Sequence, residues 1–250
     1  MSLYLERTVK KKKITIKPFL NTYIEAVGTE TDEKGSRDIY ALYYKVTYDR
    51  RNTQLKSYYS TAGYSTLEDS IAKQIIPFEV KILTKIVDYE TSLNPDREYQ
   101  LSGLKIKYET YIESVDYTLD KFLRNKLWKA AQRTKHPYHL SLKFDNYLGM
   151  TNVFTLLEIC DKLFPDFDKY IDKTFREELE GFKLYHKIFG DKLFEYNFAT
   201  LIDWMDGTHQ QALEEGLKKL LKNDTESIMR NKEIVNKIVL ERLKNVVAEM

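Results

Sequence analysis

The periodicity of the apolar residues changes near residue 65, and this change constrains the fold more than any other feature. Before that point apolar and polar residues alternate, a pattern typical of half-buried β-strands. After it, apolar residues recur every three or four positions, as in amphipathic helices. The sequence therefore predicts an α+β fold, in which a small N-terminal antiparallel β-sheet is followed by a mostly α-helical region. The alternation is clearest at Tyr40, Leu42, Tyr44, Val46 and Tyr48.

The first 64 residues also contain the turns expected of an antiparallel sheet. Lys13 to Lys17 alternates in the same way as residues 40–48 and predicts an earlier strand. The polar residues Asp49 to Asn52 predict a hairpin turn between the strand at 40–48 and a strand at 53–60. The polar stretch from Gly28 to Asp38 predicts a flexible connection between the first strand and this hairpin.

Helices are predicted from Ser65 onward. Ser65 and Glu68 have the spacing of a capping box, in which a hydroxyl and an acid three residues later satisfy the first amides of a helix. Pro77 is predicted to separate that helix from one over residues 78–89. Further helices are predicted over 115–134, 152–164, 165–190, 191–205, 209–222 and 226–248. These segments suggest three domains, over residues 1–64, 65–140 and 141–250.

Charge is distributed unevenly along the chain, although the net charge is only +2. Residues 1–65 hold 12 basic and seven acidic residues, residues 66–140 hold 12 and 11, and residues 141–250 hold 16 and 20. A basic front and an acidic rear imply unlike surfaces, and the basic surface is the natural binding site for a polyanion. Imbalances of this size also arise by chance, so the gradient alone does not choose between the two interpretations.

One candidate binding segment is the stretch from Lys121 to Lys143, which contains no acidic residue. On a helix Lys126, Lys129 and Arg133 fall within about 60° of one another and form a cationic stripe that suits phosphates. An ordinary solvated helix face, or a surface that docks on the acidic rear of the chain, explains the stripe as well. The candidate nucleic-acid-binding residues of this segment are Lys121, Arg124, Lys126, Lys129 and Arg133.

A second candidate is the predicted sheet, where lysines and arginines alternate with tyrosines. An exposed sheet face with cations and aromatic rings can enter a DNA groove or stack on unpaired bases. The alternative is that the tyrosines pack the sheet and the lysines prevent aggregation at its edges. The cations concerned are Lys10 to Lys13, Lys17, Lys45, Arg50, Arg51 and Lys56.

The segment from Gly35 to Gln54, continued by Tyr58 to Gly63, carries a resemblance to a known family. This segment has a polar loop, a strand of aromatic and β-branched residues, a basic turn and a short strand that ends in Ser-Thr-Ala-Gly. In these features it resembles the N-terminal arm-type DNA-binding domain of bacterial mobile-element tyrosine recombinases, or integrases. The resemblance covers roughly a quarter of the chain. It implies a three-stranded sheet that reads DNA, with residues 67–133 in place of the helical core-binding domain. The implied DNA contacts are Lys45, Arg50, Arg51 and Lys56.

The catalytic residues of such recombinases are not found in this sequence. The reaction needs a tyrosine nucleophile with arginine and histidine residues around the phosphate. None of the four histidines is followed three residues later by arginine. Strand exchange by this chain alone is therefore not expected, and we lean towards a protein that is not an enzyme.

Other kinds of site find little support in the sequence. A single cysteine excludes a disulfide framework, and Cys160 lies in an apolar run typical of a buried thiol. His136 and His139 flank Pro137, which disrupts a helical metal-ligand pair, so no metal or cofactor is expected. No apolar run approaches the 18 to 20 residues, roughly, of a membrane span, and no signal peptide is seen. We therefore expect a cytoplasmic protein with no membrane contact.

Two functional hypotheses follow from these observations. The first is a non-catalytic DNA-binding accessory or regulatory protein of a mobile element or phage, whose acidic C-terminal helices bind a protein partner. The second is a structural or protein-interaction component of a phage or cellular assembly, with no role in nucleic-acid binding. The apolar stripe of the last helix would also suit a homo-oligomer. An enzyme of unfamiliar type is the remaining alternative, since many folds carry sites that no short motif reveals.

Overall fold

The structure is a computed structural model that describes residues 13–33, 35–60, 62–93, 95, 97–135, 152–190 and 198–248. Within these residues it has a small antiparallel sheet followed by helices, so the predicted α+β class is confirmed. The chain forms two compact units, one ending at Ile112 and the other beginning at Glu113. The helices that follow residue 65 thus belong, up to Ile112, to the same unit as the sheet.

The first unit contains a three-stranded antiparallel sheet with the order β1-β4-β5. Its strands are β1 (Thr15–Leu20), β4 (Leu42–Tyr48) and β5 (Arg51–Lys56). One face is buried as the alternation predicts, because Leu42, Tyr44 and Val46 are fully buried. This buried face forms a core with the apolar residues of the helices in the same unit.

A second hairpin, β2 (Gly28–Asp32) with β3 (Gly35–Ile39), lies where the sequence predicted a flexible connection. That prediction is wrong. The described residues of β3 are exposed apart from half-buried Ile39. A hairpin with polar residues on both faces has no apolar alternation from which a strand could be predicted.

The turn between β4 and β5 has two residues, Asp49 and Arg50, where four were predicted. Tyr48 and Arg51 are directly paired across the hairpin. Asp49 has φ 47° and Arg50 has φ 64°. Positive φ at both central residues is the signature of a type I′ turn, whose twist matches that of the flanking strands. Arg51 and Asn52 are consequently strand residues.

Helices α1 (Ala72–Leu93) and α2 (Leu104–Tyr111) complete the first unit. The predicted capping box at Ser65 is wrong, because the Ser65 hydroxyl donates to Glu30 and α1 begins later. Asp69 caps α1, because its side chain accepts from the amides of Ile71 and Ala72.

The α1 helix also continues through Pro77 without a break, which corrects the prediction of two helices. A proline removes a single backbone hydrogen bond, and buried residues on both sides of it keep the helix packed. No helix had been predicted at α2.

A buried carboxylate fixes the chain that leaves β5. Glu79 of α1 is fully buried, and its Oε1 accepts the amide protons of Tyr58 and Tyr59, both at 2.9 Å. Burial, and then the Glu79 charge, raise the pKa values of Tyr44 and Tyr108 well above the usual range. Both hydroxyls therefore stay protonated, and Glu79 holds the end of the sheet against α1.

The second unit is helical. Its helices are α3 (Val115–Arg133), α4 (Val153–Leu163), α5 (Lys173–Phe189), α6 (Leu201–Met205), α7 (Thr208–Leu220) and α8 (Thr225–Ala248). The α3 helix packs against α4, α5 and α8, and so lies at the centre of the unit. Ser114, Asn152 and Asp172 cap α3, α4 and α5, each accepting an amide of the first turn. The predictions for α3, α4, α7 and α8 are confirmed to within a few residues.

Two of the predicted helices in this unit differ from the structure. The helix predicted over 165–190 is divided into a 3₁₀ turn, Phe167–Tyr170, and α5, because Asp172 starts a new helix with its side chain. Of the helix predicted over 191–205, residues 191–197 lie outside the described residues. The remainder forms the short α6, which begins after Thr200 with a capping box to Asp203.

Candidate nucleic-acid interface

The exposed side of the three-stranded sheet brings together basic, amide and aromatic side chains. In an antiparallel sheet the residues directly opposite one another share a face, and every second residue along a strand joins them. The register therefore places nine side chains on this side, which we call the outer face. They are Thr15, Lys17 and Phe19 of β1, Tyr43, Lys45 and Thr47 of β4, and Asn52, Gln54 and Lys56 of β5.

The outer face is arranged in three rows across the strands. Lys17, Lys45 and Gln54 form the central row, and their side chains are exposed. In the next row Phe19 and Tyr43 are half-buried, with ring centroids 5.9 Å apart. Two like charges directly opposite one another, as at Lys17 and Lys45, destabilise a sheet by some tenths of a kcal/mol. This face is therefore better suited to a negatively charged ligand than to solvent alone.

The lysines of the outer face are not neutralised by the residues of the unit that the structure describes. Lys17, Lys45 and Lys56 form no ion pair with any residue that the structure describes. The outer face itself contains no acidic residue. Three positive charges are consequently directed to solvent over an area about 10 Å wide, given the usual spacing of strands.

The two arginines predicted as DNA contacts lie off this face. Arg50 is an exposed residue of the turn, at one end of the sheet. Arg51 faces the side opposite to Lys56, and its guanidinium pairs with Glu98 at 2.9 Å and donates to Gln100. Of the four predicted contacts, the structure thus places Lys45 and Lys56 on the outer face. Arg50 lies in the turn at the end of the sheet, and Arg51 is held by contacts within the unit.

The predicted stripe on α3, in the second unit, is divided by intramolecular contacts. Arg124 pairs with Asp120 at 2.6 Å. Lys126 pairs with Glu178, which is 2% exposed, and its ammonium lies 4.9 Å from the centre of the Phe122 ring. The charged and amide side chains of α3 that remain exposed follow one ridge of the helix, four residues apart. They are Lys121, Asn125, Lys129 and Arg133.

Sequence reasoning overlooked part of the outer face. Asn52 and Gln54 were interpreted as turn and strand residues without a role, and Phe19 was not considered. Lys17 was noted among the basic residues but was not assigned a DNA contact. Strict alternation with Lys56 places Gln54 on the same face within the predicted strand, and Asn52 joins that face because the turn has only two residues.

Other sites are not supported within the described ranges. No group of three or more His, Cys, Asp or Glu residues there could hold a metal ion, and His136 and His139 lie outside those ranges. Burial raises the pKa of the Cys160 thiol to about 12, so it is not a reactive thiolate. None of the described helices is long and apolar enough to cross a membrane.

Comparisons with protein-family models, with curated proteins and with solved structures found no match. The resemblance to the integrase arm domain therefore depends on the residues that suggested it, and any function must be argued from the geometry of the outer face.

Proposed function

We propose that this chain is a non-catalytic DNA-binding protein, an accessory or regulatory protein of a mobile element or phage, and that its outer face contacts the DNA. The observation that carries the proposal is a sheet face with two amide side chains, no acid, and three lysines that form no ion pair with a described residue. Lysines in such a position replace counterions along the phosphate backbone, which supplies most of the sequence-independent affinity.

The dimensions and chemistry of the outer face suit a duplex. Three strands span about 10 Å between the outer backbones, close to the roughly 12 Å width of the major groove of B-DNA. Asn and Gln side chains pair with adenine in that groove, and lysine pairs with guanine. Asn52 and Gln54 are exposed beside Lys45 and Lys56, so phosphate contacts and base contacts are available on one face.

The structure also offers an observation for the alternative, a protein-interaction component. The loop after β1 exposes Tyr23 to 96%, with Ile24 and Val27 also exposed. A cluster of exposed apolar side chains is common at protein interfaces. This loop does not explain the outer-face lysines, which form no ion pair with a described residue, and DNA binding is therefore the function that we favour.

Fluorescence anisotropy with a labelled duplex tests the proposal. The wild-type chain and the variant Lys17→Glu/Lys45→Glu/Lys56→Glu are titrated at about 50 and 200 mM salt. We expect the variant to bind at least about 100-fold more weakly, because three phosphate contacts are replaced by repulsion. The slope of log affinity against log salt should also become less steep by about three units.

A matched variant controls for the change in net charge. Lys73, Lys81 and Lys105 are exposed on the helices of the same unit, away from the outer face. Changing these three to glutamate gives the same net charge and should leave most of the DNA affinity. Equal losses in the two variants, or no salt-dependent binding by the wild type, would reject the outer face as a DNA site.

A further inference from the structure

A groove between α3 and α8 in the second unit is lined by positive side chains that DNA binding on the sheet does not explain. Its volume is about 290 Å³, close to the lower limit of about 300 Å³ for small-molecule sites. Four of the lining residues are basic and two are acidic. The basic residues are Lys121, Lys126, Lys129 and Arg242, and the acidic residues are Glu113 and Glu241.

Two of the basic side chains are fixed by buried carboxylates. Lys126 pairs with Glu178, whose other oxygen contacts Lys237 at 3.3 Å. Arg242 donates to Glu113 at 2.8 Å, and Glu113 is 5% exposed. A cation held in this way has little side-chain entropy left to lose when a ligand binds. The inner part of the groove is therefore preorganised.

The other two basic side chains lie at the exposed edge of the groove. Lys121 and Lys129 form no ion pair with the described residues, although the Lys121 ammonium lies 5.6 Å from the centre of the Tyr117 ring. They are eight residues apart on α3, about 12 Å along the helix axis. The four basic and two acidic side chains of the lining give it a formal net charge of +2.

The groove also has an apolar part. Ile238 is 1% exposed and lies on α8, and the half-buried Phe122 lies on α3. A ligand that fits must carry about two negative charges next to an apolar or aromatic group. A phosphate monoester carries a charge of about −1.5 to −2 at pH 7, and lysine binds phosphate as a compact point charge.

From this arrangement we infer that the α3–α8 groove binds a small phosphate monoester, with the phosphate between Lys121 and Lys129 and the organic group against Phe122 and Ile238. The inference concerns the second unit alone and does not depend on DNA binding by the outer face. Phenyl phosphate is the simplest probe, because it joins a dianionic phosphate to a flat apolar ring.

Isothermal titration of the full chain with phenyl phosphate tests the inference. We expect saturable binding of phenyl phosphate. Phenol lacks the phosphate and inorganic phosphate lacks the ring, so each should bind at least about tenfold more weakly. Methyl phenyl phosphate, a diester with one negative charge, should also bind more weakly. Equal or tighter binding of the diester would overturn the inference, since the groove would then favour the backbone chemistry of nucleic acids.

Charge variants locate the binding site. Lys121→Gln/Lys129→Gln should weaken phenyl phosphate binding about tenfold or more, the effect expected when charge-assisted hydrogen bonds are removed. Lys162→Gln/Lys173→Gln removes the same charge from exposed positions on α4 and α5, outside the groove, and should bind as the wild type does. The far-ultraviolet circular dichroism of both variants should match the wild type.

The opposite results would count against the groove. No saturable binding of phenyl phosphate, or equal binding by the two variants, would overturn the inference. The Lys121→Gln/Lys129→Gln variant should also keep its affinity for duplex DNA, whereas the outer-face variant should keep its affinity for phenyl phosphate. Failure of one proposal is thereby distinguishable from failure of the other.

Discussion

The two units use positive charge in opposite ways. On the sheet, Lys17, Lys45 and Lys56 face solvent and form no ion pair with a described residue. On the helices of the second unit, Lys126 and Arg242 are tied to carboxylates that are almost fully buried. Lys45, Lys56 and Lys126 looked alike in the sequence, as basic residues that could contact DNA.

The comparison shows that a run of basic residues does not by itself indicate a binding surface. Removing a buried ion-pair partner is destabilising, because the remaining charge loses its compensation in a poorly solvated place. An exposed lysine that forms no ion pair contributes little to folding, so replacing it should change the stability little. The two units should therefore respond differently to acid and to substitution.

Acid should weaken the second unit. Burial lowers the pKa of His209 to about 4, against an ordinary value of 6.5, and the nearby Asp203 only partly opposes this. As pH falls through 6.5 the unfolded chain takes up this proton first. The stability contributed by neutral His209 is thus present above pH 6.5 and is lost between pH 6.5 and 4, amounting to about 3 kcal/mol.

Urea denaturation followed by tryptophan fluorescence measures this loss, because both tryptophans, Trp128 and Trp204, belong to the second unit. The pH-dependent loss should be smaller by about 3 kcal/mol in His209→Gln, which has no group to protonate there. An identical pH dependence in wild type and variant would show that His209 is not held neutral by its surroundings.

Lys126→Ala should lower the free energy of unfolding of the second unit by about 2 kcal/mol. The substitution leaves the buried Glu178 with Lys237 as its remaining charged partner, and the Lys237 side chain is 58% exposed. Tryptophan fluorescence in urea again gives the measurement. Lys129→Ala, one turn further along α3, is the control and should change the stability little, since Lys129 forms no ion pair with a described residue. Equal effects of the two substitutions would remove the distinction between paired and unpaired lysines.

The elements that the sequence predicted well are those whose burial is periodic. Leu42, Tyr44 and Val46 are buried because they share one face of β4, and α3 was located because its apolar residues follow a helical period. The β2–β3 hairpin and α2 were missed. Polar residues cover most of the hairpin, and α2 is only eight residues long, so neither shows a sustained apolar period.

The candidate sites were predicted only in part, because side-chain pairing depends on residues distant in sequence. Lys126 and its partner Glu178 are separated by 52 positions, and no local pattern indicates that they meet. Lys45 and Lys56 were predicted from the basic character of the sheet and from the resemblance to the integrase arm domain. The predicted four-residue turn would have placed Lys45 directly opposite Lys56, whereas in the structure Lys45 lies opposite Gln54 and Lys56 lies opposite Tyr43.

Substitutions of Arg50 and Arg51 test whether the β4–β5 turn has two residues. Arg50 has φ 64°, a left-handed conformation that glycine adopts without strain, so Arg50→Gly should stabilise the first unit by about 0.5 kcal/mol. Arg51→Gly should instead destabilise it by about 1 kcal/mol, because it weakens a strand and removes the pair with Glu98. Hydrogen exchange of the β4 and β5 amides measures both changes. Effects of the same sign would contradict the two-residue turn.

Lys45→Thr should have the smallest effect on stability and the most informative one. It relieves the repulsion from Lys17 directly opposite, and it introduces a β-branched residue, so the sheet should gain a few tenths of a kcal/mol. DNA affinity should nevertheless fall, and the salt slope should become less steep by about one unit, because one lysine no longer neutralises a phosphate. Hydrogen exchange measures the stability of the sheet, and anisotropy on the same protein measures the DNA affinity.

A lysine that serves binding lowers the stability of its own sheet, whereas a lysine that serves folding cannot be removed without destabilising the unit. If Lys45→Thr lowered both stability and affinity, Lys45 would be a structural cation like Lys126. The two units would then not differ in how they use positive charge.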